Sequence, residues 1–292
     1  MKVYTIQVSE DIRPSSLFAL IRRMLPELPE YVVREAFEKR DVKMNGIRAG
    51  KKEPVIAGSC VQLYTRYEPQ EKQLEIIYDD ANVLVIRKPA GISCDKDEKG
   101  GKTAAEWAQA FLAKENQARA AALFPCHRLD NQTEGLLLLA KGPWVQEALM
   151  DAFRERKIHK AYTCLTRGTP KKQHEYLRAY LLKNAEQGRV RIVNEPEYGS
   201  REILTEYEVL QSGEAAKLRV ILHTGRTHQI RAQMAAIGHP LLGDDVYGDR
   251  AFNKQHKAKR LMLCATELSF DLEGELAYLN KKHFTVTPFF EE

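Results

Sequence analysis

Two short stretches of the sequence concentrate side chains that could do chemistry. In the first, His127, Arg128 and Asp130 lie just before a run of four leucines at positions 136–139. Such a run is typical of a buried strand, so the three polar residues would lie at a strand end or on a short loop near the core. A charge in that place is costly unless it is paired, and Asp130 therefore needs an arginine partner. The alternative is a simple turn in which Asp130 binds local backbone.

The second stretch covers residues 222–231. A predicted strand ends there at a glycine turn, and a helix begins at Thr227 or His228. The arginines, histidines and threonines of this stretch are able to contact phosphate or carboxylate groups, and the start of a helix is a natural anion site. The pattern indicates anion binding, with a solvated loop as the alternative.

Common cofactor and metal motifs are missing from the sequence. It has no G-x-x-x-x-G-K-[ST], no G-x-G-x-x-G after a strand and no H-E-x-x-H. His and Asp residues at positions 238–240 and 243–245 could suggest a metal, but they lie in turn-like segments where such side chains commonly bind local backbone. The five cysteines are far apart and form no C-x-x-C pair, which argues against zinc and disulfides. We predict no metal site.

Length and composition describe a folded globular chain. Its 292 residues are enough for about two domains, and 43% of them are hydrophobic and 29% charged. No run approaches the ~20 apolar residues of a membrane span. The N-terminus lacks a secretory signal, and unpaired cysteines fit a reducing compartment. We therefore predict a cytoplasmic protein with no membrane partner.

Residues 1–67 carry most of the net charge of +5, with 12 Lys and Arg against 8 Asp and Glu. Apolar residues at helical spacing predict a helix over 17–25 that Pro26 ends, and a second helix over 30–40. An Asn45-Gly46 pair predicts a hairpin, and residues 55–56 and 61–63 are predicted as short strands. These elements form a compact first domain.

Two motifs in this first domain suggest RNA binding. Residues 17–26 fit L-x-x-x-[IL]-R-x-x-x-P, and residues 42–46 fit V-x-[VM]-N-G. Together they resemble the small RNA-binding domain of ribosomal small-subunit protein four. The resemblance implies that basic side chains here contact RNA, with a solvated surface as the alternative. The candidates are Arg22, Arg23, Arg34, Lys43 and Arg48.

A polar, proline-containing linker at 68–73 separates this domain from a second domain at 74–292. Short strands outnumber helices there and do not alternate with them regularly, which indicates an α+β domain with a mixed, largely antiparallel sheet and flanking helices. The predicted strands are 74–78, 83–88, 135–141, 162–165, 190–193, 204–210 and 218–222. The predicted helices are 103–114, 144–156 and 229–237.

The two chemical stretches belong to longer motifs. Residues 127–141 read H-R-L-D-x-x-T-x-G-L-L-L-x-A-K, and residues 224–248 read T-G-R-T-H-Q-I-R-x-x-x-x-x-x-G-H-P-[IL]-x-G-D-x-x-Y-G. Both resemble the RluA-type RNA pseudouridine synthases, as do the segment 78–91, the K-x-Y element at 160–162 and a late strand at 263–270. The resemblance implies isomerisation of uridine in RNA to pseudouridine. That reaction involves no redox change and no lost group, so no cofactor is expected.

The resemblance also implies roles for three residues. The invariant aspartate of the family maps onto Asp130, whose carboxylate either attacks the ribose or removes a ribose proton. Arg231 is expected to pair with Asp130 and to orient it. Tyr162 is expected to stack on the target uracil and is a candidate for moving the proton from carbon 5, with an ordinary core tyrosine as the alternative.

Other side chains are expected to contact the RNA. The resemblance makes Ile230 an apolar wall of the pocket and Arg128 the residue that enters the space left by a flipped nucleotide. Arg226 and His228 could hold phosphate. The N-terminal domain favours ribosomal RNA as the substrate over a transfer RNA stem-loop, and we expect a monomer.

Several positions depart from the residues usual in the family, namely Glu134, Gln233, Cys264 and the segment 93–95. None coincides with the three expected catalytic residues, but a carboxylate at Glu134, near the RNA entrance, is expected to alter which stem-loop is accepted. Two other functions remain open: a catalytically silent RNA-binding or ribosome-assembly protein, and a metal-dependent RNA hydrolase that a chelator would inactivate.

Overall fold

A computed structural model describes residues 1–9, 16–25, 28–67, 73–96, 102–115, 121–184 and 189–291. These residues form two compact units. The first is built on Met1–Gln73, and the second on Leu74–Asp97 and Lys102–Glu292. The proposed helix end at Pro26 and all but the last residue of the linker predicted at 68–73 lie outside the described residues.

The first unit is a four-stranded sheet with two helices. Its elements in chain order are β1 (Lys2–Gln7), α1 (Leu17–Met24), α2 (Glu30–Glu38), β2 (Val42–Met44), β3 (Ile47–Arg48) and β4 (Cys60–Thr65). The strand order is β1-β4-β2-β3, and every pair is antiparallel. Ser16 caps the start of helix α1, and its hydroxyl accepts a hydrogen bond from the backbone N–H of Ala19.

Most of the predicted elements of this unit are present. The hairpin turns at Asn45 and Gly46 with φ angles of 52° and 82°, the left-handed pair that joins two strands most tightly. The strand predicted at 55–56 is wrong: these residues follow Pro54, which has no N–H to donate, and Ile56 is 67% exposed. Strand β1 was not predicted.

The second unit is one large sheet flanked by helices. Its strands are β5 (Glu75–Asp79), β6 (Val83–Lys88), β7 (Phe124–Pro125), β8 (Glu134–Ala140), β9 (Ile158–Arg167), β10 (His174–Asn184), β11 (Arg189–Val193), β12 (Arg201–Gln211), β13 (Ala215–Leu222), β14 (Leu263–Phe270) and β15 (His283–Thr285). Its helices are α3 (Ala104–Glu115), α4 (Pro143–Arg154), α5 (Gln229–Ala236) and α6 (Arg250–Gln255), with a 3₁₀ helix at Gly274–Lys281.

The strand order is β11-β10-β12-β13-β9-β14-β8-β6-β5, with β15 beside β14 and β7 beside β8. Among the described strands only β14 and β8 pair in parallel, which confirms the expected mixed, largely antiparallel sheet. This parallel contact is very close, because a Cβ on Gly135 would lie 2.3 Å from the carbonyl oxygen of Ala265. Position 135, at the start of β8 just after the loop that carries Asp130, therefore requires a glycine.

Both faces of the central strands are covered, which explains the run of leucines. Leu137 and Leu139 pack on the side of α3 and α5, whereas Leu136 and Leu138 pack on the side of α4 and the 3₁₀ helix. All four side chains are at most 2% exposed. The prediction of a buried strand here is therefore correct, and β8 is held in place by core packing on both of its faces.

The structure also contains elements that the sequence did not reveal. Strand β10 spans eleven residues, yet one of its faces is polar and exposed, with His174, Tyr176 and Arg178 in alternate positions. Strand β9 extends well beyond the predicted 162–165. Helix α6 and the 3₁₀ helix were not predicted either. Within the described residues, no helix has the length and hydropathy that a membrane span requires.

Candidate active site

The loop before β8 carries Asp130 and is fixed by two neighbouring groups. The side chain of Lys88 is fully buried, and its ammonium group donates to the carbonyl oxygens of Pro89, Ile92 and Asn131 at 3.1, 2.9 and 3.3 Å. The backbone N–H of Leu129 donates to the sulfur of Cys94 at 3.3 Å. These contacts hold the residues on both sides of Asp130, whose carboxylate remains 17% exposed.

Replacing Lys88 with methionine is expected to lower the free energy of unfolding by about 2–4 kcal/mol, because buried carbonyl oxygens would lose their charged donor. Urea unfolding of the variant measures this loss. Lys171→Met, at an exposed lysine of the same unit, is the matched control and should leave stability within error. A Lys88→Met variant as stable as the wild type would show that the ammonium group does not hold this loop.

Tyr162 lies on β9 between β13 and β14, opposite Val220 and Ala265. It is 4% exposed and belongs to the same core cluster as Leu129 and Ile230. Burial raises the pKa of its hydroxyl far above the usual value, and the nearby negative charge of Asp130 raises it further. The hydroxyl is therefore protonated at neutral pH and can donate a hydrogen bond.

Arg231 projects from the first turn of α5 and is 3% exposed. Its guanidinium binds the carboxylate of Asp244 with two hydrogen bonds, Nε to Oδ2 and Nη2 to Oδ1, both 2.8 Å long. The remaining nitrogen, Nη1, lies 3.9 Å from Oδ2 of Asp130. The expected contact with Asp130 is thus longer than a hydrogen bond, and the two-pronged partner of Arg231 is Asp244.

Asp244 is more than the turn residue that the sequence suggested. Its side chain is fully buried, and Oδ1 also accepts the backbone N–H groups of Val246 and Tyr247 at 2.8 and 2.9 Å. Burial alone would raise the pKa of Asp244, but the hydrogen bonds and charge of Arg231, together with these N–H groups, lower it below its usual value. A permanent carboxylate therefore holds the guanidinium beside Asp130.

His228 also faces Asp130, and one of its two ring nitrogens contacts Tyr247. The hydroxyl of Tyr247 accepts the backbone N–H of Val190 at 2.9 Å and lies 3.0 Å from Nδ1 of His228. In the tautomer in which the Tyr247 hydroxyl donates to Nδ1, the imidazole proton is on Nε2, which lies 4.0 Å from Oδ2 of Asp130. Burial lowers the pKa of His228, so the ring is neutral at neutral pH.

Gln229 shapes the loop between β13 and α5. Its amide oxygen accepts from the hydroxyl of Thr224 and the backbone N–H of Arg226 at 3.0 and 3.1 Å. Its amide nitrogen donates to Thr205 and to the carbonyl oxygen of Leu204 on β12. The buried amide thus fixes the loop and leaves the Arg226 side chain exposed.

One cleft of about 930 Å³ brings the two sequence motifs together. The predicted residues that line it are Arg128, Asp130, Tyr162, Arg226, His228, Ile230 and Arg231. Arg128 stands at its rim, 61% exposed, with an ion pair of 2.8 Å to Asp95. Lys160 and Arg156 also line the cleft, although no sequence motif predicted a role for either side chain.

Glu134 does not form a free carboxylate at the RNA entrance. It is 5% exposed, and Arg87 donates to it twice, at 2.9 and 2.6 Å. Arg260 approaches the other oxygen at 3.8 Å. Arg87 and Arg260 therefore compensate the negative charge of the buried Glu134 carboxylate. The structure gives no support to the expectation that this carboxylate influences substrate choice. The sequence alone did not show that an arginine on β6 would face this position.

The five basic side chains of the first unit that were predicted to contact RNA differ in whether they already have a partner within the protein. Arg22 donates to the carbonyl oxygen of Leu28 at 2.7 Å, which ties down the turn after α1. Arg34 is paired with Glu30 at 2.7 Å. The other three candidates form no ion pair with any described residue; they are Arg23, Lys43 and Arg48.

No group of three or more potential metal ligands occurs within the described ranges of the chain.

The family model described as "RNA pseudouridylate synthase" matches residues 82–236, more than half of the chain. The chain belongs to this family. As a pseudouridine synthase it is an enzyme of the isomerase class, which confirms the resemblance that the two long motifs carry.

Individual synthases match over most of their length. The ribosomal large subunit pseudouridine synthase C of Vibrio vulnificus (strain CMCP6) is 31% identical over 289 residues, which cover 92% of this chain and 89% of that protein. The ribosomal large subunit pseudouridine synthase D of Yersinia pestis is 30% identical over 268 residues, 84% of this chain and 78% of that one. The solved structure of human RNA pseudouridylate synthase domain containing 1 has a TM-score of 0.59 and 26% identity, covering 76% of this chain and 86% of that chain.

Proposed function

We propose that this synthase converts specific uridines of ribosomal RNA to pseudouridine, with Asp130 as the catalytic carboxylate and without a cofactor. The observation that carries the proposal is the place of this carboxylate, open to the cleft with the cationic Arg231 at 3.9 Å and the neutral His228 at 4.0 Å. The names of the similar ribosomal large subunit pseudouridine synthases C and D support ribosomal RNA as the substrate class.

The reaction exchanges one bond of the uridine for another. The bond from ribose to N1 of uracil breaks, the base turns, and C5 bonds to the same ribose carbon while its proton leaves. In one route the Asp130 carboxylate attacks the ribose carbon and is later displaced; in the other it removes a ribose proton. Both routes use an ionised carboxylate, whose negative charge the nearby guanidinium of Arg231 stabilises.

Tyr162 is suited to hold the uracil. Its ring lies in the cleft beside Ile230, and its hydroxyl stays protonated because of burial. We infer that the ring stacks on the base and that the hydroxyl acts as a hydrogen-bond donor during transfer of the C5 proton, rather than as a phenolate base. Base stacking of this kind contributes about 1–3 kcal/mol.

RNA labelled with tritium at C5 of uridine tests the proposal, because bond formation at C5 releases the label to water. Wild-type protein should release tritium from ribosomal RNA in the presence of a chelator and without added nucleotide. Release from transfer RNA alone would replace the proposed substrate class. Strand cleavage that a chelator abolishes would instead support a hydrolase, and binding without release a silent RNA-binding protein.

The oligomeric state, the cellular compartment and the role of the first unit are also part of the proposed function. We propose a monomer in a reducing cytoplasm, and the five free cysteine thiols support the reducing compartment. We also propose that residues 1–67 form an RNA-binding domain joined through a linker to the catalytic domain at 74–292. Its exposed Arg23 and Arg48 and its half-buried Lys43 would contact phosphate.

Replacing Arg23, Lys43 and Arg48 together with glutamine should weaken RNA binding and reduce its dependence on salt. Each lost phosphate contact removes about one unit from the slope of log affinity against log salt. Filter binding of labelled ribosomal RNA at several salt concentrations measures the slope. The control replaces three exposed lysines of the second unit, Lys171, Lys254 and Lys281. Equal slopes for the variant and the wild type would show that these side chains do not contact RNA.

A further inference from the structure

One end of the cleft carries basic side chains that lie outside the two long motifs. Lys160 lies two residues before Tyr162 on β9, and both residues line the cleft. The Lys160 ammonium group lies 5.0 Å from the centre of the Phe153 ring. The exposed side chains of Arg156 and His159 line the same part of the cleft.

Lys160, Arg156 and His159 form no ion pair with any residue in the described part of the chain. Arg226 shares this property, but most other basic groups of the cleft are paired within the protein. The paired ones are Arg128 with Asp95, Arg154 with Asp151, His223 with Glu206 and Arg231 with Asp244. Positive charge in this part of the cleft therefore remains available to an anionic ligand.

No carboxylate of the described residues forms an ion pair with Lys160. Burial lowers the pKa of its ammonium group to about 8, so the group is still mostly protonated at neutral pH. Its other titratable neighbours are neutral there: burial lowers the pKa of His127 and raises the pKa values of Cys94 and Tyr162. A half-buried ammonium group without an anion is unfavourable, and an anion bound beside it would remove that cost.

The backbone at Arg156 is a second, independent observation. This residue follows α4 with a φ of 62°, in a helix end where the backbone N–H of Lys157 donates to the carbonyl oxygen of Ala152 at 2.8 Å. Glycine is the favoured residue at such a position because a Cβ is strained there. Arg156 has this strained backbone conformation and lines the cleft, and a role in ligand binding would explain an arginine at this position. Lys257 has the same geometry after α6 but does not line the cleft.

We propose that Lys160, Arg156 and His159 form a phosphate-binding subsite, which holds the RNA backbone next to the target uridine. The inference rests on the proposed function, in which Tyr162 holds the base of that uridine. Residues two apart on a strand are separated by about 7 Å, so the subsite is within reach of a neighbouring phosphate. The ammonium and guanidinium groups would both donate to phosphate oxygens.

Binding of labelled total ribosomal RNA at several salt concentrations tests the subsite. Lys160→Met should weaken binding several-fold at low salt and lower the salt slope by about one, whereas Lys160→Arg should keep the slope. Arg156→Gly should weaken binding and, because it relieves backbone strain, raise the temperature of unfolding. A merely structural arginine would not combine these two effects.

Two control variants match these changes outside the subsite. Lys157→Met removes a neighbouring lysine that pairs with Glu155 and Glu273, and Lys257→Gly relieves the same backbone strain elsewhere. Both should bind RNA as the wild type does, and Lys257→Gly should also unfold at a higher temperature. Unchanged binding by Lys160→Met and Arg156→Gly, or equal weakening by the controls, would overturn the subsite.

The same measurements separate this inference from the proposed function. If the wild type binds RNA and releases tritium while Lys160→Met keeps the full salt slope, only the subsite is wrong. If the wild type binds no RNA, the proposed function itself is wrong. Inorganic phosphate that raises the unfolding temperature of the wild type but not of Lys160→Met would mean that the subsite accepts free phosphate. If phosphate does not raise the unfolding temperature but Lys160→Met lowers the salt slope of RNA binding, the subsite binds only the phosphodiester backbone of RNA.

Discussion

Asp130→Asn should abolish tritium release, with a fall in rate of at least about a thousandfold, because an amide is neither a nucleophile nor a base of useful strength. The side chain keeps its size, and Asp130 accepts no hydrogen bond of 3.5 Å or less from Arg231 or His228, so the fold and the cleft should be preserved. RNA affinity should be unchanged or slightly stronger, since one negative charge leaves the cleft. Single-turnover release and filter binding measure the two effects separately.

Asp95→Asn is the matched control for this substitution. Asp95 pairs with Arg128 at the rim of the cleft and is about half exposed, so its amide variant should lose little activity. Activity retained by Asp130→Asn would remove this carboxylate from the chemistry. A loss of both activity and binding would mean that Asp130 organises the site rather than reacting.

Asp244→Asn should both destabilise the protein and slow the reaction. It leaves the guanidinium of Arg231 buried without its two-pronged partner, and breaking such a pair costs about 3–5 kcal/mol. The freed guanidinium can also turn toward Asp130, 3.9 Å away, and form a direct pair that withdraws the carboxylate from the substrate. We expect kcat to fall at least about tenfold while KM changes little.

The pH dependence of stability gives this prediction a distinct signature. The pKa of Asp244 is lower in the folded protein than in the unfolded chain, so the ion pair contributes its full stability above pH ~4 and loses it as the pH falls toward the folded value. The difference in unfolding free energy between wild type and Asp244→Asn should therefore shrink in acid.

Asp245→Asn is the control for the neighbouring carboxylate. Asp245 contacts Arg231 at 3.3 Å but is 78% exposed, so its loss should cost no more than about 1 kcal/mol. Equal effects of the two substitutions would show that Arg231 is held by general negative charge and not by the buried two-pronged pair. An Asp244→Asn variant with wild-type stability would contradict the account of this pair.

The sequence was sufficient to predict the elements whose signals are local. The leucine run predicted β8 because both faces of that strand are buried, and Asn45-Gly46 predicted a hairpin because the turn needs left-handed backbone. Strand β10 was missed because half of its side chains are polar and exposed, so it lacks a continuous apolar run. Its place in the sheet comes from pairing with β11 and β12, which lie further along the chain.

Charge partners could not be predicted from the sequence. Asp130, Asp244 and Asp245 were all available to Arg231, and only the three-dimensional structure shows that the buried Asp244 takes both hydrogen bonds. In the same way, the interpretation of Glu134 failed because Arg87, 47 positions away in the chain, lies directly beside it. Pairing of this kind depends on how strands are arranged, which motif spacing does not contain.

Mapping of pseudouridine in the ribosomal RNA of cells that lack this protein is the most direct test of the central proposal. One or more sites should be missing, restored by the wild-type protein and left unmodified when Asp130→Asn is supplied at the same level. Restoration of the missing sites by Asp130→Asn, or a ribosomal RNA that loses no site without the protein, would contradict it.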